Sequence, residues 1–199
     1  MGRIFLAFTI GFLSLSASAQ SPNDVIAEAA DQLAVALDGR KDELAANRET
    51  LYALIDEILL PRFDRRYAAQ LVLGRHWRSA SAEQRQGFID AFYASLLRKY
   101  ADGLLEFDQS RIEILPYRGD DTKPRTTVKT MVRLDDGTQV PVNYGLVNRE
   151  SGWMMFDVTI EGISYVRNFR TELNAEIRAT SIDAVIDRLN SQNAEASAE

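Results

Sequence analysis

The feature of this sequence that most constrains its fold is a change in the spacing of apolar residues along the chain. Up to about residue 107 they recur every three or four positions, which is typical of helices that bury one face. Between residues 111 and 160 they alternate with polar residues, as in half-buried strands, and from residue 163 the helical spacing returns. Segregated helices and strands predict an α+β domain with several helices packed on one face of a sheet.

Helices are predicted on both sides of the region of strands. Ser21-Pro22 fits the start of the first helix and Gly39 fits its end. Ser81 and Gln84 form a capping box at the start of the longest helix, because each side chain can satisfy a backbone amide of the other residue. The predicted bounds of the helices are 21–39, 48–60, 62–73, 82–107, 163–179 and 182–193.

The longest predicted helix carries an apolar stripe wider than a surface helix usually shows. One row recurs every four residues, and a second row follows one position later along the chain. Most of this helix is therefore expected to be covered by other parts of the protein. The first row consists of Phe88, Phe92, Leu96, Tyr100 and Leu104.

The alternating region predicts a four-stranded antiparallel sheet whose strands follow one another as a meander. Asp136-Gly137 is a strong signal for a tight hairpin between the second and third strands. A second turn is expected at 148–152. One face of such a sheet is apolar and packs on the helices, while the other faces solvent.

The predicted apolar face consists of the even-numbered residues of these strands. On the last strand it includes Met154 and Phe156, and it leaves Trp153 on the opposite face. This apolar face could be ordinary core that touches the helices, or it could form one wall of a cavity. Periodicity alone favours ordinary core, because it does not show how far apart two layers lie.

The N-terminal segment has the pattern of a secretory signal peptide. Arg3 precedes an apolar run from Ile4 to Leu15, and Ala17-Ser18-Ala19 forms an A-x-A-like cleavage site. The apolar run is too short to span a hydrocarbon core of about 30 Å as a helix. An uncleaved N-terminal anchor is the alternative interpretation.

These bounds predict the domain organisation and the compartment. We expect a signal peptide at 1–19, a single domain at 20–193, and a small, polar, disordered tail at 194–199. A cleaved signal peptide places the mature chain outside the cytoplasm.

Composition excludes several classes of protein. The chain has no cysteine, so a disulfide scaffold and a zinc–thiolate site are both excluded. Its net charge is −6 and its isoelectric point is about 5.0. An acidic chain is not expected to bind nucleic acid, and it has no net attraction to anionic lipid surfaces.

The sequence contains few of the residues and motifs that indicate catalysis. The chain has one histidine, His76, and none of the common nucleophile, metalloprotease or nucleotide-binding motifs. An exported enzyme that uses His76 with a carboxylate remains one alternative, and a lipid-free adaptor with a solid core remains another. Arg167 and Arg170 could contact a phosphate, although structural ion pairs are the commoner outcome for such residues.

Several segments resemble those of one protein family. The most specific is GWMMFDVTIEGIS at 152–164, followed by NFR at 168–170, which is similar to G-W-x-x-[YF]-D-V-x-I-E-G-[VI]-S…N-[YF]-R. This block is typical of MlaC proteins, also called the toluene-tolerance auxiliary family. Other matching segments are LLPRFD at 59–64, LGRHW at 73–77 with QR at 84–85, and VPVNY at 140–144.

The resemblance covers nearly the whole chain and implies both a function and partners. It implies a periplasmic phospholipid carrier that maintains the lipid asymmetry of the outer membrane. The implied partners are an outer-membrane lipoprotein–porin complex and an inner-membrane ABC transporter with an MCE-domain ring. We expect a non-enzymatic monomer that has no cofactor and carries phospholipid as its cargo.

In such a carrier the acyl tails lie in a cavity between the sheet and the helices. We expect its lining to come from the even face of the sheet and the inner rows of the helices, with Trp77 and Trp153 in structural roles. The predicted lipid-binding residues are Phe63, Phe92, Leu96, Tyr100, Leu104, Val128, Val132, Val142, Tyr144, Leu146, Phe156, Val158, Val166 and Phe169.

Overall fold

The computed structural model describes residues 20–120 and 122–195, and it has the predicted order of helices, then strands, then helices. The predicted signal peptide and residues 196–199 lie outside the described residues. The helices ahead of the sheet are α1 Pro22–Leu37, α2 Lys41–Ala46, α3 Arg48–Leu59, α4 Arg65–Leu73, α5 His76–Ser79 and α6 Ala82–Leu105. The helices after the sheet are α7 Tyr165–Ala179 and α8 Ile182–Glu195.

Helix ends follow the capping signals in the sequence. Ser21 caps α1 in a capping box with Asp24, and the predicted capping box of Ser81 and Gln84 is present at the start of α6. The short helices α2 and α5 were not predicted, and the last helix is longer than expected. The six-residue α2 has no side-chain cap to signal its start. The last helix extends to Glu195, two residues into the predicted tail.

The sheet has five antiparallel strands in the order β1-β2-β3-β4-β5, not the four that were predicted. The extra strand is a two-residue element that pairs with the end of β4. Its hairpin turn is Glu161-Gly162, where φ is +50° and +83°, as a type I′ turn requires. The strands are β1 Ile112–Ile114, β2 Arg125–Arg133, β3 Gln139–Arg149, β4 Gly152–Ile160 and β5 Ile163–Ser164.

A β-bulge interrupts the pairing of β3 with β4 and changes which residues of β4 face the helices. Gly145 pairs with Asp157, but Leu146 pairs with Met155, so Phe156 is the extra residue. Before the bulge the alternation is therefore reversed. The prediction that Trp153 lies on the opposite face is wrong, because Trp153 shares the face of Leu146 and is buried with it.

A connection through Asp64 attaches α4 to β4. The Asp64 backbone N–H donates to the carbonyl of Met155 at 2.7 Å, and its carboxylate accepts from the N–H of Tyr67, which caps α4. Arg149 on β3 donates to the same carboxylate at 2.8 Å. Asp64 therefore fixes the position of the start of α4 relative to the sheet. This role explains why an aspartate follows the LLPRF segment.

A second connection attaches α7 to β4. The carboxylate of Asp157 accepts from the Ser164 hydroxyl at 2.6 Å and from the Val166 N–H at 3.0 Å. Ser164 in turn caps α7 by accepting from the N–H of Arg167. The short hairpin at 161–162 and these hydrogen bonds together fix the direction in which α7 leaves the sheet.

Buried apolar side chains form three separate clusters in the described part of the chain. The first joins α4, the N-terminal half of α6, α7 and α8. The second joins the C-terminal end of α1 with α2, α3 and α6. The third joins the start of α1 to one half of the sheet. Phe63, at the edge of the third cluster, lies with its ring centroid 6.3 Å from that of Tyr93 in the middle of α6.

Candidate functional site

One face of the sheet points toward the helices. Strand pairing places Val128 and Val158 on either side of Tyr144, and places Thr130 beside Val142. Thr130 is the one fully buried polar residue on this face, and its hydroxyl donates to the Val142 carbonyl at 2.6 Å. The inward-facing residues are Ile112, Ile114, Val128, Thr130, Val132, Val140, Val142, Tyr144, Leu146, Trp153, Met155, Val158 and Ile160.

Burial along this face is uneven. At one end Val128, Leu146 and Met155 are 7% exposed or less, because they pack with Val25 and Ile26 of α1. At the other end, where β2 and β4 finish, the inward residues are only partly shielded from solvent. These half-buried residues are Val132, Val140, Val142, Val158 and Ile160.

The helical side of the site is formed by α6 and α7, which are joined by aromatic rings. Phe92 meets Phe169 edge to face with centroids 5.2 Å apart, and Tyr100 meets Tyr165 in the same way at 5.3 Å. The Lys99 ammonium lies 5.5 Å from the centroid of Phe169. Leu96, between the two rings of α6, and Leu104, beyond them, are also half-buried.

Helix α6 makes its main contacts with other helices. It packs against α8, α3 and α4, whereas its backbone contacts with the sheet are sparse. The half-buried end of the sheet and the C-terminal half of α6 both carry apolar side chains that are only partly buried. Together they form the candidate site.

The phenols at this site are neutral at physiological pH. Burial, with a smaller effect of the neighbouring Tyr165, raises the pKa of Tyr100 to about 12. Burial also raises the pKa of Tyr144, although this side chain remains partly accessible to solvent. Tyr93, which donates to Asp56 at 2.6 Å, likewise has a raised pKa, mainly through burial.

The structure distributes the predicted lipid-binding residues over both sides of the site. Phe92, Leu96, Val166 and Phe169 belong to the first cluster or its edge, and Leu104 lies at the edge of the second. The third cluster contains or borders Phe63, Val128, Tyr144 and Leu146. The remaining predicted residues, Tyr100, Val132, Val142, Phe156 and Val158, are half-buried and belong to none of the clusters.

The bulge gives Phe156 different neighbours from those that strict alternation predicts. Its ring meets Tyr67 of α4 edge to face at 5.1 Å. Met155, which the even-residue rule omits, takes its place on the inward face, and Tyr165 was also missed at the contact with α6. Tyr165 could have been found from its spacing of four residues ahead of Phe169 on one face of α7.

Two clefts on the surface lie away from this site. One, of about 720 Å³, lies between the end of α1 and the end of α6 and is rich in charged residues, including Asp38, Lys41 and Arg111. The other, of about 610 Å³, surrounds the turn between β3 and β4. Neither cleft is lined by any of the predicted lipid-binding residues.

Among the described residues, no cluster of histidine and acidic side chains is arranged to hold a metal ion. None of the helices at 20–120 and 122–195 combines the length and hydropathy needed to cross a bilayer.

His76 is the first residue of α5, and arginines are among its neighbours. Burial lowers the pKa of His76, and the guanidinium groups of Arg75 and Arg178 lower it further. The Arg75 Nε is 3.5 Å from the His76 Nε2. A side-chain hydrogen bond with Asn174 acts in the opposite direction and raises the pKa of His76.

Trp77 has the structural role that the sequence predicts. It is 8% exposed, and the guanidinium groups of Arg66 and Arg85 lie 5.5 and 5.4 Å from its ring centroid. Arg170, which could have contacted a phosphate or an acidic partner, lies over Gly74, and no salt bridge involves Arg167 or Arg170 in the part of the chain described.

Known proteins resemble this chain over most of its length. A toluene tolerance protein, ttg2D, of Pseudomonas putida is 29% identical over 188 residues, which are 93% of this chain and 87% of that protein. The intermembrane phospholipid transport system binding protein MlaC of Haemophilus influenzae is 23% identical over 172 residues, or 85% and 80% of the two chains.

A solved structure shares the fold. The phospholipid-binding protein of Ralstonia solanacearum, solved in complex with a phospholipid, superposes with a TM-score of 0.78 and 24% identity. The match covers 91% of this chain and 99% of that one. The sequence profile of the MlaC protein family matches residues 27–191, which include every strand, helices α2 to α7 and most of α1 and α8. The chain is therefore a member of the MlaC family.

Proposed function

We propose that this chain is a periplasmic phospholipid carrier that holds acyl tails between the inward face of its sheet and helices α6 and α7. It is exported by a signal peptide at 1–19, and acts as a monomer. It receives and delivers lipid between an outer-membrane lipoprotein–porin complex and an inner-membrane ABC transporter with an MCE-domain ring, and so maintains outer-membrane lipid asymmetry.

One observation carries this proposal. Apart from the hydroxyl groups of Thr130 and Tyr144, the inward face of the sheet is apolar, but only one end of it is covered by the buried clusters. At the other end Val142, Val158 and Ile160 remain partly accessible, and the sheet has sparse backbone contacts with α6. Apolar side chains that remain partly accessible on an inward face form a wall suited to an apolar ligand.

Transfer free energies explain why lipid transport needs such a container. A diacyl phospholipid has on the order of thirty methylene groups, and exposing each to water costs about 0.8 kcal/mol. A phospholipid that diffused between membranes without a carrier would therefore face a barrier of roughly 25 kcal/mol. A carbon-lined interior removes most of that barrier, provided that no unpaired polar group interrupts it.

The polar groups of the walls are compatible with that requirement. The Thr130 hydroxyl is satisfied by the Val142 carbonyl, and the phenols of Tyr100 and Tyr144 are uncharged at neutral pH. The names of the relatives add independent support, since one is a phospholipid transport binding protein and the structural neighbour holds a phospholipid.

The proposal is tested by extracting the purified protein with organic solvent and measuring bound lipid by mass spectrometry. We expect phospholipid in a fixed molar ratio to protein. Val142→Asp, which places a charge on the inward face, is expected to abolish loading. Asn143→Asp is the matched control, because it adds the same charge to the adjacent residue on the outer face, opposite Lys129.

Protein that is free of lipid, and that takes up none from liposomes, contradicts the proposal. Equal loading of both variants would remove Val142 and the half-buried end of the sheet from the binding site.

A further inference from the structure

Arginines cluster around the short helix α5 and the adjoining faces of α4 and α7. Their positions are linked by contacts, since Arg170 lies over Gly74, Arg75 meets His76, and Arg66 and Arg85 lie over Trp77. Five of the six are exposed to solvent, and Arg85 is partly exposed. This arginine face consists of Arg66, Arg75, Arg78, Arg85, Arg170 and Arg178.

The arginine face lacks acidic partners. Within residues 20–120 and 122–195, none of its six guanidinium groups lies within 4 Å of a carboxylate, although salt bridges join eight other cationic side chains to acids. Acidic residues outnumber basic ones in this chain by 29 to 23. A concentration of unpaired arginines on one face of an acidic protein is not the pattern of an ordinary solvated surface, where charges of both signs are interspersed.

Parts of this face are held in place. Arg85 donates from its Nε to the Trp77 carbonyl at 2.9 Å. The Arg170 Nε lies 2.9 Å from the point where a Cβ on Gly74 would stand, so glycine leaves the space that this guanidinium occupies. Gly74 also has a φ of +54°, which other residues rarely adopt. Fixed guanidinium groups lose less conformational entropy when they bind a partner.

The positive electrostatic potential of this face also affects the pKa of His76, because the guanidinium groups of Arg75 and Arg178 are close to it. Both guanidinium groups oppose its protonation and lower its pKa beyond the effect of burial. An anion that docked here would meet a positive field that the protein itself does not neutralise.

We propose that the arginine face docks a carboxylate-rich surface or segment of a partner protein. Guanidinium groups bind carboxylates through two parallel hydrogen bonds, so a face of six arginines favours a partner rich in aspartate and glutamate. This inference concerns recognition of a protein and does not depend on the lipid cargo.

A membrane surface fits this face less well. Within residues 20–120 and 122–195 the exposed large apolar side chains that could enter a bilayer are Val35, Leu134 and Ile163, which belong to α1, the β2–β3 turn and β5 and not to the elements of the arginine face. Charge complementarity without an apolar anchor is typical of steered protein–protein docking.

The test measures binding of a fluorescent decaglutamate peptide to the purified mature chain at low and at physiological salt. We expect binding that weakens as salt rises, and a loss of about tenfold or more in affinity when Arg75→Ala and Arg178→Ala are combined. Arg118→Ala with Arg133→Ala is the matched control, because it removes the same charge from exposed positions outside the face.

Each result decides for or against the proposal. Selective loss in the first variant, with thermal stability and lipid content unchanged, supports docking of an acidic protein. Equal loss in both variants, or no binding of the peptide, overturns it. Binding to vesicles of phosphatidylglycerol and phosphatidylethanolamine that depends on Arg75 and Arg178, without binding of decaglutamate, also overturns it in favour of a membrane surface.

Discussion

Gly145 shows how a single residue permits the bulge that shapes the sheet. A Cβ at this position would lie 3.1 Å from Cζ of Phe156 and 3.3 Å from Cβ of Asp157. Glycine thus allows the ring of the extra residue to fold over β3. A side chain here would collide with this ring, which explains why glycine follows Tyr144 in the middle of β3.

We predict that Gly145→Ala destabilises the protein by about 1–2 kcal/mol, because the Phe156 ring must move from its contact with Tyr67. Gly103→Ala is the control. It lies within α6 with open space around the added methyl group, so it is expected to stabilise the protein by about 0.5–1 kcal/mol. Urea unfolding of the three proteins measures both changes. Equal effects of the two substitutions would contradict this account of Gly145.

His76 predicts a particular dependence of stability on pH. Its pKa is lowered from 6.5, first by burial and then by Arg75, so the unfolded chain binds a proton more readily than the folded protein does. Stability from this residue is complete above about pH 6.5 and is lost as the pH falls below that value. His76→Gln should therefore flatten the fall in the urea midpoint between neutral and mildly acidic pH.

Arg78→Gln is a suitable control, since it removes a neighbouring charge that does not titrate in this range. An unchanged pH profile in His76→Gln would show that another group causes the acid sensitivity. The same variant addresses the enzymatic alternative, because normal lipid loading is expected without the histidine.

At the level of elements, the direction of α7 depends on the link between Asp157 and Ser164. Asp157→Ala leaves the Ser164 hydroxyl and the Val166 N–H without their acceptor, so we expect a loss of about 1–3 kcal/mol. Ser164→Ala removes the helix cap and should cost about 1 kcal/mol. Because the two side chains share a hydrogen bond, the double variant should lose less than the sum.

A double-mutant cycle from denaturant unfolding measures this coupling. Asp187→Ala, at an exposed position on α8, should change stability by less than about 0.5 kcal/mol. Additive losses for Asp157 and Ser164 would contradict a shared role in fixing α7.

Local signals explain which elements could be predicted from the sequence. The caps at Ser21 and Ser81 and the turn at Asp136-Gly137 depend on neighbouring residues alone, and all three are present. The bulge at Phe156 could not be predicted, because it arises from the pairing of two strands. The β5 hairpin was missed because Glu161 occupies a positive-φ position that asparagine, aspartate or glycine more often fills.

At the level of the whole molecule, the sequence predicts the two apolar surfaces but not the distance between them. Tyr100, Val142 and Val158 have the spacing of core residues, yet they are half-buried. Whether two layers touch depends on how α1, α3 and α8 hold α6 relative to the sheet, and no pattern within one element encodes that. The motifs of the family resemblance lie largely at connections such as Asp64 and Ser164, which set this relative placement.

Two valines on either side of Tyr144 offer a test of the space between the layers. Val158 on β4 is half-buried, whereas Val128 on β2 is 1% exposed, and both face inward. If acyl tails occupy the region beside Val158, Val158→Trp fills a space that lipid would otherwise take. We therefore predict a cost in stability below about 1 kcal/mol with greatly reduced lipid loading, because the indole displaces the cargo and not other side chains.

Val128→Trp should behave differently, because it adds the same ring where the sheet already packs on α1, and overpacking there costs about 1–3 kcal/mol or more. Unfolding in denaturant and mass spectrometry of bound lipid measure the two quantities for each variant. A lipid-free adaptor with a solid core predicts that both valines are equally intolerant of tryptophan. Similar destabilisation of the two variants, with lipid content unaffected by Val158→Trp, would thus favour the adaptor over the carrier.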